Sequence, residues 1–492
     1  MRSIADEALQ SALDAGASYA DVRVQEVELE ALAVRNGILE TADRAASCGG
    51  GVRVLVDGAW GFAATSELGG ELSRVARRAV EVGRASGRLR RHRVVLAALE
   101  TQTGSYESPF QEDPFRVPAY EKVDLLVEAC RAMSLEPRIR AAVATMDFRR
   151  ERTVFVSSEG SALTQTILQS GGGISATAVD EEDSQRRSYP ASGGQFAAAG
   201  YEAVRSLGLL DHAGRVAEEA ARLLSAPECP SAQTTLILGS DQLALQIHES
   251  VGHPTELDRV LGMEAAYAGT SFVRPDDLRR LRYGSEHVTI VCDGTTPGGL
   301  GTVGWDDEGV RPEPTLLLAD GLLVGFQTSR ETAAAIGQER SNGTMRADGW
   351  INFPLIRMTN VSLLPGASSL EELIATTSEG IFMTTNRSWS IDDMRKNFQF
   401  GCEIAWEVED GRLGRMLKNP TYAGMTTEFW GSCDRVAGEA EWTLWGVPNC
   451  GKGQPPQVAR VGHGAAPARF RNVRVGVRPG GPEGPAGPER LE

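Results

Sequence analysis

Two of the chain's six histidines stand close together in the run Gln246-Ile247-His248-Glu249-Ser250-Val251-Gly252-His253-Pro254, with a glutamate directly after the first. Neutral imidazoles hold a divalent ion, and a carboxylate beside that ion can take a proton from an attacking water. Together these are the parts of a zinc hydrolase, provided one coordination position stays open. The familiar spacing for such a pair is HExxH, which puts both rings on one helix face. Here the spacing is HExxxH. At about 100° per residue, positions five apart lie roughly 140° apart around a regular helix, so the two rings cannot meet one ion. The helix is therefore expected to bulge or end between them. Gly252 can supply an unusual backbone angle, and Pro254 disfavours helical geometry at His253.

Two histidines leave zinc short of a third protein ligand. The run Pro448-Asn449-Cys450-Gly451-Lys452-Gly453-Gln454 offers Cys450 on a glycine-flanked loop that can approach an ion closely. A thiolate with two imidazoles favours zinc over magnesium or calcium. The blander alternatives stay open at this point. A lone cysteine is commonly a small buried hydrophobe, and the histidine pair can be a helix end with two satisfied rings and an exposed glutamate. Glu256 and Asp258 can orient an imidazole or be solvated charges at a helix end. Asp306, Asp307 and Glu308 can bind a peptide's amino end or form a polar turn, and Arg346 can stabilise an oxyanion or bind a carboxylate. His287, before a strand, reads as structural, and His463, between two glycines, suggests no role.

A helix beginning at Asp241, capped by Ser240 and preceded by a short buried strand at 234–238, must carry the histidines. Asn36-Gly37, Asp57-Gly58, Asp320-Gly321 and Asp410-Gly411 each sit between apolar runs, the pattern of two-residue hairpins. Strands are expected at 19–27, 29–34, 38–41, 52–56 and 60–64, and helices at 71–84, 118–135 and 212–224. A meander over 141–169 is interrupted at Gly171-Gly172-Gly173. Residues 100–117 read as a linker or long loop, and Pro227 with Pro230 marks the main boundary. Many hairpins and few long helices predict an α+β protein. We expect an N-terminal domain over 1–228, a β-rich domain over 229–477, and a disordered Pro/Gly-rich tail over 478–492.

The formal charge of −16, from 50 basic and 66 acidic residues, argues against a broad nucleic-acid footprint. Seven scattered cysteines without a close pair fit reduced thiols in a cytoplasm. No apolar run approaches the roughly 20 residues needed to span a bilayer.

The run His248–Asp258 (HESVGHPTELD), taken with Asn449–Gln454 (NCGKGQ), resembles the TldD/PmbA family of metallopeptidases. The likeness extends to Tyr19–Val24, Val34–Gly37, Gly51–Gly58, Trp60–Thr65, Asp306–Gly309, Asn342–Arg346 and Pro354–Asn360, spanning roughly residues 18–475. That resemblance implies an N-terminal α/β domain followed by a β-rich catalytic domain. It implies Zn2+ on His248, His253 and Cys450, with Glu249 as general base, and unfolded or flexible peptides as substrates. It further implies a dimer, either with a second copy or with a homologous subunit lacking HExxxH. Pro254 departs from the more flexible residue expected there. The competing reading is a non-catalytic subunit that binds peptides or a partner protein, against which the intact motif weighs.

Overall fold

Strict alternation along Tyr19–Arg35 builds the first layer of the protein. Val22, Val24, Leu32 and Val34 are buried on one face, while Asp21, Arg23 and Gln25 are buried on the other. In the computed structural model, which describes residues 1–267 and 269–477, this strand pairs antiparallel with Ile38–Val56 and Ile139–Ser157. Ala59–Thr65 and Ala162–Val179 extend the sheet outward, and Thr103–Glu107 joins it in parallel. The apolar face is covered by helices. Arg2–Asp14 and Gly70–Gly87 bury one end of the sheet, and Ala119–Met133 and Leu209–Leu224 bury the other.

The strands are longer than local patterning predicts. The runs expected at 19–27 and 29–34 form one strand of 17 residues, and those at 38–41 and 52–56 form one of 19. The triplet Gly171-Gly172-Gly173 does not interrupt its strand. A Cβ on Gly171 would lie 2.1 Å from the Phe196 ring, and one on Gly173 would lie 2.5 Å from Gly194 Cα. The glycines let segment 194–196 cross the strand. Residues 100–117 are not simply a loop, since they hold the strand Thr103–Glu107. All four expected hairpin turns form, with positive φ at both central residues, for example 51° at Asn36 and 78° at Gly37.

The second half is built around a closed ring of five strands. Glu379–Ile391 pairs with Ala232–Leu238, that with Ala468–Val475, then Thr421–Met425, then Asn397–Glu409, which returns to Glu379–Ile391. Phe398, Phe400, Tyr422, Phe429 and Phe470 stack in its core. Helix Ser240–Ile247 leaves the end of Ala232–Leu238. A separate ribbon, Thr443–Lys452 with Gln457–Ala465, brings Cys450 back towards it. The polar face of the first sheet meets this half through buried ion pairs, Arg23–Asp307 at 3.1 Å and Arg53–Glu308 at 3.0 Å. Among the described residues no helix is long and apolar enough to cross a membrane. The tail expected over 478–492 lies outside the described residues.

Candidate metal centre

The helix Ser240–Ile247 continues into a π-helical turn, His248–Gly252. The His253 amide donates to the His248 carbonyl, five residues back, so one extra residue fits into the turn. On this wider turn HExxxH brings the two imidazoles to one side of the helix, edge to face with centroids 4.8 Å apart. The bulge was expected, but not its cause. Gly252 (φ −57°, ψ −63°) and His253 (φ −63°, ψ −43°) both keep right-handed helical geometry. Pro254 is the second residue of the next short helical turn, His253–Thr255, where its missing N–H costs nothing. Gly252 serves close approach, because a Cβ there would lie 2.1 Å from Met358 Sδ.

A widened turn leaves carbonyls that neighbouring groups must satisfy. Ser250 Oγ donates to Gln246 O at 2.5 Å, and Thr255 Oγ1 donates to Val251 O at 2.7 Å. The Tyr283 hydroxyl donates to Ser250 O, and Gln327 Nε2 donates to Gly252 O at 2.6 Å. Ser240 is not the cap of this helix. Gly239 holds that position, and Ser240 Oγ instead accepts from Trp445 Nε1 at 3.2 Å.

The ligand atoms of His248, His253 and Cys450 lie within 4.8 Å of one another, and all three residues are buried. Cys450 Sγ is 3.6 Å from His253 Nε2. Tetrahedral zinc with bonds of about 2.3 Å to sulfur and 2.0–2.1 Å to nitrogen separates such ligands by about 3.6 Å. Hydrogen bonding behind the rings fixes which nitrogen of each faces the cluster. Burial holds His463 neutral, and its Nδ1 faces the Val361 carbonyl at 2.9 Å, so that nitrogen carries the proton. Its Nε2 must then accept from His248 Nδ1 at 2.8 Å, which leaves the His248 Nε2 lone pair for a metal. His253 Nδ1 donates to Glu256 Oε2 at 2.9 Å with the same effect.

Burial alone would raise the Cys450 thiol, but His248, His253 and Arg357 hold it well below the usual range. Burial lowers His248, yet the sulfur facing it more than offsets this, so its pKa is raised. Both shifts express one attraction, between the Cys450 thiolate and the His248 imidazolium, whereas burial dominates at His253 and lowers its pKa. Arg357 lies under the loop and donates to the Cys450 carbonyl. Lys452, fully buried two residues on, holds Asp258 at 2.8 Å and Glu256 at 3.3 Å. Glu249, on the same turn as His248, has one carboxylate oxygen in an ion pair with Arg395. Arg395 sits at the tip of the hairpin between Glu379–Ile391 and Asn397–Glu409, with a left-handed backbone (φ 63°).

The remaining candidates lie elsewhere. Asp306 accepts from the amides of Glu308, Val310 and Met345. Half-buried Asp307 and buried Glu308 fasten the two halves through Arg23 and Arg53, the contacts of a polar turn. Arg346 donates to the carbonyls of Met358 and Arg460 at 3.0 and 2.7 Å, and burial beside Arg357 lowers its pKa to about 10. His287 is exposed. Sequence reasoning passed over His463, Lys452 and Arg395. Parity carried a signal for two of them. Cys450 pairs with Ala459, so Lys452 and His463 lie on the same ribbon face as Cys450. Nothing local marks Arg395.

The residues that could do chemistry thus converge from segments about 200 positions apart, and the likeness to known proteins covers all of them. The "PmbA/TldA metallopeptidase C-terminal domain" matches residues 231–477, "domain 1" matches 20–83 and the "central domain" 112–226. A curated metalloprotease of Methanocaldococcus jannaschii is 29% identical over 447 residues, covering 91% of this chain and 94% of its own. A Thermotoga maritima crystal structure, of a protein proposed to modulate a DNA gyrase, shares the fold at TM-score 0.75 and 18% identity, covering 96% of this chain and 99% of its own. TldE from Thermococcus kodakarensis does so at TM-score 0.68 and 16% identity, with the same coverage. The chain belongs to the PmbA/TldD family of metallopeptidases.

Proposed function

We propose that this metallopeptidase is zinc-dependent, that His248, His253 and Cys450 hold the ion, and that Glu249 is the general base. The observation that carries the reading is the convergence of Cys450, within 4.8 Å, with the two buried histidines that bracket the turn carrying Glu249. Two imidazoles and a thiolate suit zinc by ligand softness. When bound, the ion supplies Lewis acidity to an attacking water and to the scissile carbonyl. Glu249 takes the proton from that water and delivers it to the leaving amide nitrogen. Arg395 anchors one oxygen of Glu249 and so limits the rotamers the base can adopt. Glu256 and His463 keep the imidazole protons on the side away from the metal.

The substrates are unfolded or flexible peptides, because a buried centre requires an extended backbone to reach it. The formal charge of −16 disfavours nucleic acid as a substrate or partner. The working form is a dimer, either with a second copy or with a homologous subunit lacking HExxxH. The fold shared with TldE over 96% of this chain supports the latter. The test is metal content of the purified protein together with cleavage of a mixed peptide library by wild type and Glu249→Gln. About one zinc per chain, with cleavage lost only in Glu249→Gln, supports the reading. Equal cleavage by both proteins overturns the role of Glu249, and absence of zinc uptake overturns the centre. Native mass spectrometry with and without a motif-less homologue reads the dimer.

A further inference from the structure

Helix Ser240–Ile247 is buried on nearly every side. Leu245 is a half-buried apolar exception, and it lies one turn before Glu249 on the same face. That face opens onto a cavity of about 370 Å³. Its opposite wall is the strand segment running directly into Cys450: Trp445, Val447 and Pro448, each half-buried, followed by Asn449. The third wall is Trp389 of strand Glu379–Ile391, a residue 55% exposed. Trp445 is fixed by its bond to Ser240 at 3.2 Å, so one indole is held rigid while the other stands open to solvent. Both walls therefore end on the proposed chemistry, the helix at Glu249 and the strand at Cys450.

We infer that this cavity is the subsite for a bulky apolar side chain, best an aromatic one, on a residue flanking the cleaved bond. The inference rests on the metallopeptidase reading of the adjacent centre. Arg186, Asp241 and Asn386 also line the cavity, but Trp445 and Val447 share the ribbon face of Cys450, so a peptide whose scissile carbonyl meets the metal can extend a neighbouring side chain towards the two indoles. Aromatic faces and aliphatic edges bind such a group by burial and offset stacking. A missing apolar group in a pocket of this kind changes kcat/KM by roughly 10- to 200-fold.

The experiment uses the full-length, zinc-loaded protein and labelled six-residue Ala/Ser peptides carrying Phe, Leu, Ala, Glu or Lys at one position. Wild type is read by kcat/KM with the cut site from mass spectrometry, and Glu249→Gln by fluorescence anisotropy. The expected result is a Phe-over-Ala ratio of at least tenfold, falling towards unity in Trp389→Ala. Val447→Asp should turn the preference towards Lys, a gain that misfolding cannot imitate. Aromatic-selective binding to Glu249→Gln, lost on adding Trp389→Ala, upholds the subsite even if wild type cleaves nothing, in which case only the peptidase mechanism falls. Glu249-dependent cleavage without a Phe preference overturns the subsite and leaves the mechanism standing. No peptide bound or cut at millimolar concentration overturns both. A Trp389→Ala protein with changed subunit stoichiometry and an unchanged ratio also overturns the subsite, because the patch is then a subunit contact.

Discussion

His463 provides a direct test of the hydrogen bonding proposed behind the metal. It accepts from His248 Nδ1 at 2.8 Å and is anchored on Val361 O at 2.9 Å, with both rings buried. In His463→Leu the His248 N–H loses its partner in a site closed to water. Metal on Nε2 fixes that N–H on Nδ1, whereas the metal-free ring can move its proton, so the cost of a buried unsatisfied donor, about 1–3 kcal/mol, falls on the zinc-bound state. At 1.4 kcal/mol per decade that is about a 5- to 150-fold loss of zinc affinity, which overlaps the 10- to 100-fold expected when an outer partner of a metal-bound histidine is removed. His463→Gln keeps an acceptor near the position of Nε2 and should retain most of the affinity. Competition with a chromophoric chelator reads the affinities, and thermal melts of the metal-free proteins separate any loss of folding. Equal zinc affinity in wild type and a well-folded His463→Leu protein would refute the tautomer argument. So would a Gln variant as weak as Leu.

Four further outcomes follow from other contacts. Glu249→Gln should keep its zinc and lose about 10²- to 10⁴-fold in kcat, measured on any peptide that wild type cleaves; a smaller loss assigns the base elsewhere. Gly252→Ala places a Cβ 2.1 Å from Met358 Sδ and should cost about 1–3 kcal/mol in urea melts, partly recovered by adding Met358→Ala; an unchanged midpoint would count against the tight packing. Lys452→Met leaves Asp258 and Glu256 without their shared cation and should destabilise by about 3–5 kcal/mol, whereas a loss under about 1 kcal/mol would show the charges compensated elsewhere. At Asp434, partial burial acts against ionisation, but hydrogen bonds from Arg469 and Arg471 hold the carboxyl below its usual range. Its stabilisation is present above the unfolded pKa of about 3.9 and is lost as pH falls through the lower folded value. The stability gap between wild type and Asp434→Asn should therefore be full at pH 7 and narrow as pH falls below about 3.9, and a gap that does not change with pH refutes the assignment.

The parts of this molecule that were legible in its sequence are those where chemistry is local. Asn36-Gly37 and Asp410-Gly411 announce their turns because few other residues accept two left-handed positions in succession. The HExxxH spacing is legible in the same way, since two rings five positions apart can meet one ion only if the turn between them takes an extra residue. How the turn is made was not legible. It depends on Tyr283 and Gln327 donating to the displaced carbonyls and on Met358 leaving room only for glycine, all of them distant in sequence. The glycine triplet at 171–173 misled for the same reason, because its crossing partner at 194–196 lies on another segment. Arg395 is the extreme case: 146 positions separate it from Glu249, and no periodicity or composition marks it. His463 and Lys452 stand between these limits. Each became inferable once Cys450 was taken as a ligand on a ribbon, because the period of two then assigns their side chains to its face. For a candidate ligand on a strand, the i±2 and cross-strand neighbours are therefore the first residues to test as orienting groups, ahead of any other in the chain.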